Sequence, residues 1–302
     1  MSAAHEGEQA VQRKAGEGRP GWGSPMFDGE IPDGFAEYMR AQRLIAIGGQ
    51  DDRGAVWCTV LDGDPGFVDA LDDRTIDIHA LPPPGDPVRE VFGSGPGKDI
   101  GMVVMSPETQ RRVKVSGTAR REGGKLVLRT EQVLGNCPKY LQGREVVGVA
   151  PAVEPSAHRG RELTAYQREL VESADTFFIA SSAPGHGADA NHRGGLPGFV
   201  TVTGPRSLTW PDYVGNSFYM TLGNMELQPR CGLVFRDWET GGTVQLTGTG
   251  RVNWSREPAE RFPGALRTID FEVEEVVQVD NATRLRWKLF GYSRFNPPAP
   301  ER

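Results

Sequence analysis

The chain has 302 residues and a formal net charge of −6 at pH 7, with 34 Lys and Arg against 40 Asp and Glu. This charge disfavours nucleic-acid binding, which needs a basic stripe, and no apolar run reaches the ~18 residues of a membrane-spanning helix. The cysteines, Cys58, Cys137 and Cys231, are odd in number and far apart, which disfavours a disulfide framework or a Cys-x-x-Cys metal clip. The polar N-terminus has no apolar signal-peptide core, so a cytoplasmic protein is expected.

Along the first half, residues 1–26 predict a polar arm, and a helix follows from Asp33, its expected N-cap, to Leu44. Residues 44–47 then predict a strand that ends at Gly48-Gly49. Val113-Lys114-Val115 alternates with period two, which is typical of a half-buried antiparallel strand. The further short strands predicted in this half are Ala55–Val60, Thr75–Ile78, Gly101–Met105, Arg112–Gly117 and Leu126–Thr130.

The second half starts with a predicted helix, His158–Ser173, and a predicted strand, Thr176–Ala180. Short strands separated by turn residues then follow again. They are predicted at Phe199–Thr203, Ser207–Trp210, Ser217–Leu222, Gly232–Asp237, Thr243–Gly248 and Phe271–Val279. Short strands at this density, with one helix in front, predict a mainly β (α+β) fold of small β-barrels with helical embellishments.

The two halves repeat each other. Gly63-Asp64-Pro65-Gly66-Phe67-Val68 returns 132 residues later as Gly195-Leu196-Pro197-Gly198-Phe199-Val200, and Ile100–Arg120 aligns with Cys231–Arg251. This period is too long for a solenoid and fits two domains of one fold, an intrachain pseudo-dimer. The expected division is an arm at 1–26, a simplified first domain at 27–146, a linker at 147–157 and the main cofactor-binding domain at 158–298.

The copies differ in their polar residues. Where the first copy has Trp57–Gly63, the second has Asp189–Gly195, which adds His192, Arg193 and Gly194. Arg can bind phosphate bidentately, and Gly lets backbone amides approach an anion. The second copy is therefore predicted to hold an anionic, hydrogen-bonding cofactor. An ordinary surface arginine beside an ordinary glycine turn is the alternative that the residues leave open.

A group of segments carries a family resemblance over nearly the whole chain. They are Gly135–Tyr140, Ala174–Ala180, Asn191–Val200, Trp210–Asn216, Thr221–Asn224 and Phe295–Pro298. With them the chain resembles the pyridoxamine 5′-phosphate oxidase-like, FMN-binding split-barrel superfamily, and within it the bacterial two-domain members. The resemblance implies tandem split β-barrels with one FMN bound between them, in an oxidoreductase that acts on a small molecule. NAD(P)H or oxygen would be its electron partner, and the chain would be a monomeric pseudo-dimer or a homodimer.

The same resemblance implies a set of site residues. The implied cofactor contacts are His192, Arg193, Gly194, Trp210, Asp212, Tyr213, Asn216, Thr221, Gly223, Asn224 and Gln245. A substrate or shared site is implied at Asn136, Cys137, Lys139 and Tyr140, with His192 and Tyr213 as candidates for proton transfer. No metal is expected, because His186, Asp189 and His192 fall in a segment predicted as a glycine-rich loop.

One segment departs from the pattern of the oxidases and disfavours one substrate. Arg284-Leu285-Arg286-Trp287-Lys288 lacks the histidine with which the oxidases bind the vitamin's phosphate, so vitamin B6 phosphate is disfavoured. Two other functions stay open on the sequence. One is a non-catalytic protein that binds flavin, haem or a deazaflavin, and the other is a reductase of diffusible flavin.

Overall fold

The computed structural model describes residues 4–17, 28–93 and 95–299. The predicted polar arm is partly helical, since helix α1 covers Glu6–Lys14. His5 caps this helix: its Nδ1 accepts the backbone N–H groups of Gly7 and Glu8, and the Glu8 carboxylate accepts the His5 N–H. The sequence prediction missed α1 because histidine is not among the usual N-cap residues. Residues 18–27, which include the end of the predicted arm, lie outside the described residues.

The first unit contains one seven-stranded antiparallel sheet, with strand order β2-β1-β5-β6-β7-β4-β3. Its elements are α2 (Asp33–Ala41), β1 (Leu44–Gln50), β2 (Val56–Asp62), β3 (Val68–Ala70), β4 (Thr75–Ile78), α3 (Pro87–Val91), β5 (Lys98–Ser106), β6 (Arg111–Glu122) and β7 (Lys125–Asn136). Two details of the prediction were wrong. The N-cap of α2 is Pro32, because Asp33 is already helical, and β1 continues through Gly48-Gly49.

The second unit repeats this arrangement. Its elements, with the connecting strands, are β8 (Gly143–Val149), β9 (Ser156–Gly160), α4 (Ala165–Ser173), β10 (Thr176–Ala183), β11 (Gly187–Gly194), β12 (Thr201–Gly204), β13 (Ser207–Tyr213), α5 (Met220–Leu227), β14 (Arg230–Arg236), β15 (Thr243–Asn253), α6 (Arg256–Glu260), β16 (Ala265–Asp280) and β17 (Leu285–Gly291). The main path of its sheet is β11-β10-β14-β15-β16-β13-β12, and β9 adds to β16.

Adding nine to each strand number of the first sheet gives the order of the second, so the two units have one topology. The repeat extends to a bulge. The strand register shifts at Gly117 in the first unit and at the aligned Gly248 in the second. A Cβ at either glycine would clash with a carbonyl oxygen of the neighbouring strand, Arg129 or Glu272. The predicted mainly β, tandem split-barrel fold is confirmed.

Three segments fold differently from the prediction. The predicted helix His158–Ser173 is divided into β9 and the shorter α4, which starts after a capping box made by Thr164 and Gln167. Half of the predicted strand Ser217–Leu222, residues 220–222, belongs to helix α5, whose first six residues are all buried, so no amphipathic period marks it. The predicted glycine-rich loop around Asp189 is strand β11. Among the described helices, none is long and apolar enough to cross a membrane.

The connection between the units is itself paired. β8 leaves the first unit and forms a two-stranded sheet with β17, which follows the second sheet. β9 joins the second sheet directly. The predicted linker 147–157 therefore includes the end of β8 and the start of β9, and the domain limits given above stay a prediction.

A shared hydrophobic cluster joins the units. It combines Leu44, Ala46 and Val60 of the first unit with Phe178 and Val234 of the second, and all five are buried. Two aligned glycines allow the contact. A Cβ on Gly101 would clash with the backbone of β11 at Asp189 and Ala190, and a Cβ on Gly232 with the backbone of β2 at Val56 and Trp57. This reciprocity is the mark of a two-fold, isologous interface, here formed within one chain.

We expect Gly101→Ala and Gly232→Ala each to lower the free energy of unfolding by roughly 1–3 kcal/mol, because the added methyl group overpacks a backbone contact. Chemical denaturation measures this change. The control is Gly124→Ala, at an exposed turn where a Cβ has no neighbour within 4 Å. Equal stabilities of all three variants would show that the sheets approach each other less closely than described.

Candidate functional site

A cleft lies between the two units, and both contribute to it. The first unit contributes β6 and the end of β7 with the segment after it. The second contributes β11, β13, α5 and the loop between β13 and α5. The lining residues are Arg112, Lys114, Leu134, Asn136, Cys137, Lys139, Tyr140, Asn191, His192, Arg193, Gly194, Phe199, Pro211, Asp212, Tyr213, Gly215, Asn216, Ser217, Phe218, Tyr219, Met220, Thr221 and Leu222.

Two cations of β6 lie at the inner end of the cleft. Arg112 and Lys114 are two residues apart on a strand, so their side chains share one face. Both are buried. The Lys114 Nζ lies 2.5 Å from Asp189 Oδ1, and the Thr221 hydroxyl donates to Asp189 Oδ2 at 2.8 Å. Burial lowers the pKa of Lys114 while Asp189 opposes the shift, so this ion pair holds the ammonium at the wall of the cleft.

Arg112 defines the state of His192 across the interface. The Arg112 Nη1 lies 2.7 Å from His192 Nδ1, and a guanidinium can only donate, so Nδ1 is the acceptor and the ring proton is on Nε2. Burial lowers the pKa of His192 well below its ordinary value, and the charges of Arg112 and Arg193 lower it further. His192 is therefore a neutral ring whose Nε2–H is buried without a partner among the described residues.

Positive charge accumulates beside this ring. Arg193 donates to the His192 carbonyl at 3.1 Å, and neither Arg193 nor Arg112 makes an ion pair within the described residues. The buried Nε of Arg112 also has no hydrogen-bond partner there. Burial lowers the pKa of Arg112 to about 9, so its guanidinium stays positive at neutral pH. Buried charges without partners are costly, and an anionic ligand would remove that cost.

The mouth of the cleft, residues 136–140 and 212–218, is more exposed and rich in aromatic rings. The Tyr140 hydroxyl donates to the Val214 carbonyl at 2.9 Å, and the Tyr140 and Tyr213 ring centroids are 5.3 Å apart. Three non-glycine residues of the cleft have left-handed backbones: Tyr140, Ser217 and Tyr219, with φ of 65°, 61° and 57°. Such backbones cluster where surrounding contacts enforce them, often at functional sites.

The acidic residue of the mouth has a cation of its own. The Arg267 Nε lies 3.2 Å from Asp212 Oδ2, and the guanidinium of Arg267 lies over the rings of Tyr219 and Trp254. Burial raises the pKa of Asp212, while Arg193 and Arg267 oppose the shift. The carboxylate is thus satisfied within the protein wall, so the positive charges of the inner end stay largely uncompensated.

The structure brings most of the sequence-predicted site residues together. Those that line the cleft are Asn136, Cys137, Lys139, Tyr140, His192, Arg193, Gly194, Asp212, Tyr213, Asn216 and Thr221. Four others do not line it. Trp210 is a core residue packed edge-on against Phe177. Gly223 contacts Glu8 of α1, and Asn224 donates to the Ser181 hydroxyl at 3.1 Å.

Gln245, the fourth, lies at the pseudo-equivalent position in the opposite half of the interface. Its Nε2 donates to Asp86 Oδ2 at 2.7 Å and to the Thr59 hydroxyl at 3.4 Å, and all three side chains are buried. Burial raises the pKa of Asp86 to about 6, while the hydrogen bonds from Thr59 and Gln245 oppose the shift. Hydrogen bonds among these three side chains close the position, and the buried Gln245 Oε1 has no hydrogen-bond partner among the described residues.

The repeat shows what the second position has lost. The residues aligned with Arg112, Lys114, Asp189, His192 and Arg193 are Thr243, Gln245, Trp57, Val60 and Leu61. None of these five carries a charge. The asymmetry seen in the sequence is therefore real. Each copy nevertheless supplies part of the charged cleft, because β6 of the first unit packs against β11 of the second.

Sequence reasoning missed Arg112, Lys114 and Asp189 as site residues. The predicted cofactor contacts all belong to the second copy, whereas the inner cations of the cleft come from β6 of the first. The signal was the pair of cations two residues apart on a strand, where the other copy has Thr243 and Gln245. His186, Asp189 and His192 lie on or beside β11 and contact different partners, namely Glu6, Lys114 and Arg112.

Comparisons with known proteins gave only partial structural likenesses. No family model and no curated protein matches the chain. One similar solved structure is a tagged HupZ of Group A Streptococcus, with TM-score 0.32, 11% identity, and 43% of this chain and 98% of that chain covered. A candidate pyridoxamine 5′-phosphate oxidase from Lactobacillus delbrueckii has TM-score 0.31, 20% identity and 39% and 94% coverage. A candidate 5-nitroimidazole resistance protein from Bacteroides thetaiotaomicron has TM-score 0.32, 8% identity and 48% and 95% coverage.

We expect the His192 ring to stay neutral, with its proton on Nε2, from pH 8 to below pH 6, because Arg112 donates to Nδ1 and burial disfavours the charged ring. Histidine ¹⁵N shifts measured through a pH titration report both properties, and His192→Asn assigns the signal. Arg112→Met should raise the pKa of His192 and release its tautomer. A His192 ring that titrates near pH 6.5 in the unaltered protein would contradict the contact.

Proposed function

We propose that the cleft binds FMN non-covalently and that the protein is an FMN-dependent oxidoreductase that acts on a small molecule. One observation carries this proposal. Arg112 and Arg193, from opposite units, meet beside His192 without a carboxylate partner among the described residues, and buried nitrogen atoms of Arg112 and His192 lack acceptors. A site with donors of this kind fits an anionic, oxygen-rich ligand.

The charges fit a phosphate monoester. A phosphate of this type carries between one and two negative charges at neutral pH and offers several strong acceptors. Asp189 balances Lys114, so Arg112 and Arg193 remain to balance the ligand. Arg112, Lys114 and Arg193 would hold the phosphate of FMN. The guanidinium fork suits this task, since it can donate two parallel hydrogen bonds to phosphate oxygens.

The remaining groups fit the polar chain and ring of a flavin. Asn191 and the Nε2–H of His192 offer amide and ring donors along β11, and the Thr221 hydroxyl, whose proton goes to Asp189, offers an acceptor. The rings of Tyr140 and Tyr213 provide an apolar wall at the mouth, where a substrate would lie between this wall and the flavin ring. Such a combination of a few fixed polar groups and aromatic walls is usual for a cofactor pocket.

When bound, FMN would supply hydride transfer, the chemistry that the protein's own side chains lack. The residues of the cleft would orient the cofactor and the substrate and shield them from water. His192 serves as a neutral hydrogen-bond donor and not as a general base, because Arg112 occupies its basic nitrogen. Burial raises the pKa of Tyr213 to about 12, so its hydroxyl keeps its proton at neutral pH. Because a raised pKa makes a weaker acid, Tyr213 would serve the substrate as a hydrogen-bond donor.

The contact between Arg112 and His192 also bears on the alternatives. His192 could not serve as a ligand of haem iron in this state, because Arg112 occupies Nδ1 and leaves the proton on Nε2. The cleft therefore favours a flavin over haem. Direct measurement can test three further points. They are NAD(P)H or oxygen as the electron partner, a deazaflavin in place of FMN, and a homodimer of the whole chain.

We expect one FMN per chain. The pseudo-equivalent position is closed by Gln245, Asp86 and Thr59 and has none of the cations of the cleft. Heat release of the cofactor, mass identification and comparison with protein concentration give the ratio. Two equivalents per chain, or a different cofactor such as FAD or haem, would contradict the proposal.

We expect Arg193→Ala and Arg112→Ala to weaken FMN binding by about 2–4 kcal/mol each, the scale of removing one partner of a buried charged contact. Arg193→Lys should recover only part of the loss, because an ammonium cannot replace the fork. Fluorescence quenching of free FMN on titration with apoprotein measures the affinity. The matched control is the exposed Arg251→Ala, outside the cleft. Unchanged affinity in both cleft variants would refute the phosphate assignment.

A further inference from the structure

We infer that the mouth of the cleft is the substrate site and that it selects planar aromatic carboxylates. The inference rests on the proposed function, because it places the substrate beside an FMN bound at the inner end. It starts from the side chains of the mouth that the phosphate assignment does not use. These are Lys139, Tyr140, Tyr213 and Asn216, which come from both units.

Three unused polar groups of the mouth can donate hydrogen bonds. The only contact of the Lys139 ammonium among the described residues is the Val214 carbonyl, at a long 3.5 Å. The Tyr213 hydroxyl has no hydrogen-bond partner there. The Asn216 Oδ1 accepts the Phe218 backbone N–H at 3.2 Å, which leaves its amide N–H groups available. Three donors that line one cleft suit a ligand with acceptors.

The charge balance makes that ligand an anion. Asp212 is the acidic side chain that lines the mouth, and Arg267 neutralises it. Lys139 has no ion pair within the described residues. A cationic substrate would meet Lys139 and Arg193, because the lining has no carboxylate besides Asp212 and Glu17 lies outside it, beside Tyr219. A carboxylate would meet the ammonium and two neutral donors. Hydrogen bonds to a charged group are also the strong ones, worth roughly twice a neutral pair.

The shape of the wall makes the ligand planar. The Tyr140 ring is fixed at two points: its backbone is left-handed, and its hydroxyl is bonded to the Val214 carbonyl. Tyr213 packs beside it with its ring tilted by 38°. The Tyr140 ring, held by its hydroxyl, offers a fixed face, and an aromatic ligand gains from stacking on such a face beyond its buried area.

The test uses protein saturated with FMN and four probes with calorimetric detection: 1-naphthoate, 1-naphthamide, cyclohexanecarboxylate and 1-naphthylmethylamine. We expect naphthoate to bind at least tenfold more tightly than each of the others. Naphthamide lacks its charge, cyclohexanecarboxylate lacks its planar ring, and naphthylmethylamine has the opposite charge and no acceptor. Lys139→Met should weaken naphthoate about tenfold, the effect of losing one charge-assisted hydrogen bond, and leave naphthamide unchanged. Lys139→Arg should keep most of the affinity.

The control is Lys288→Met, an exposed lysine of β17 outside the cleft, which should behave like the unaltered protein. FMN content, measured separately by absorbance, should be the same in all variants. A protein that takes up no FMN defeats the proposed function itself. Normal FMN loading with equal affinity for naphthoate and naphthamide, or with equal affinities in Lys139→Met and Lys288→Met, overturns this inference and leaves the flavin proposal standing.

Discussion

The reciprocal approach of the two sheets at Gly101 and Gly232 is the constraint on which the rest of the molecule depends. Because these residues lack a Cβ, β11 can pack directly against β5 and β6, and β2 can pack against β14 and β15. The close packing brings a strand of one unit against the polar face of the other. Without it, Arg112 could not reach His192, and the cations of β6 would face solvent instead of a cleft.

Symmetry of the backbone and asymmetry of the side chains then coexist. Two equivalent positions arise wherever a two-fold interface forms, and here they have opposite character. One holds Lys114, Asp189 and Arg193 around an open cleft, and the other holds Gln245, Thr59 and Asp86 in mutual hydrogen bonds. The hydrogen bonds within the closed cluster support the interface, whereas the cations and unpaired donors of the open cleft are poised for a ligand. The fold supplies the place and the side chains decide its use.

Much of this was predictable from the sequence, for physical reasons that differ by element. The repeat predicted that the two units share one topology, and the aligned Gly117 and Gly248 indeed lie at the same bulge in both units. The cleft segment around Arg193 was found as a break in the repeat, and the segment around Tyr140 was found through the family resemblance. Helix α5 was missed because burial on all sides erases its period. Gln245 was misplaced, and Lys114 overlooked, because a single sequence does not show which copy's strand crosses the interface.

The covalent connection through β8 and β9 changes what dilution can do to this assembly. Two separate, identical barrels would dissociate at low concentration, and any substitution would appear on both of them. In one chain the partner is always present at high effective concentration. In a homodimer, a substitution that empties one position empties its twin as well. Here Val60 and Leu61 can stand where the other half keeps His192 and Arg193, so one half can specialise in binding while the other specialises in support.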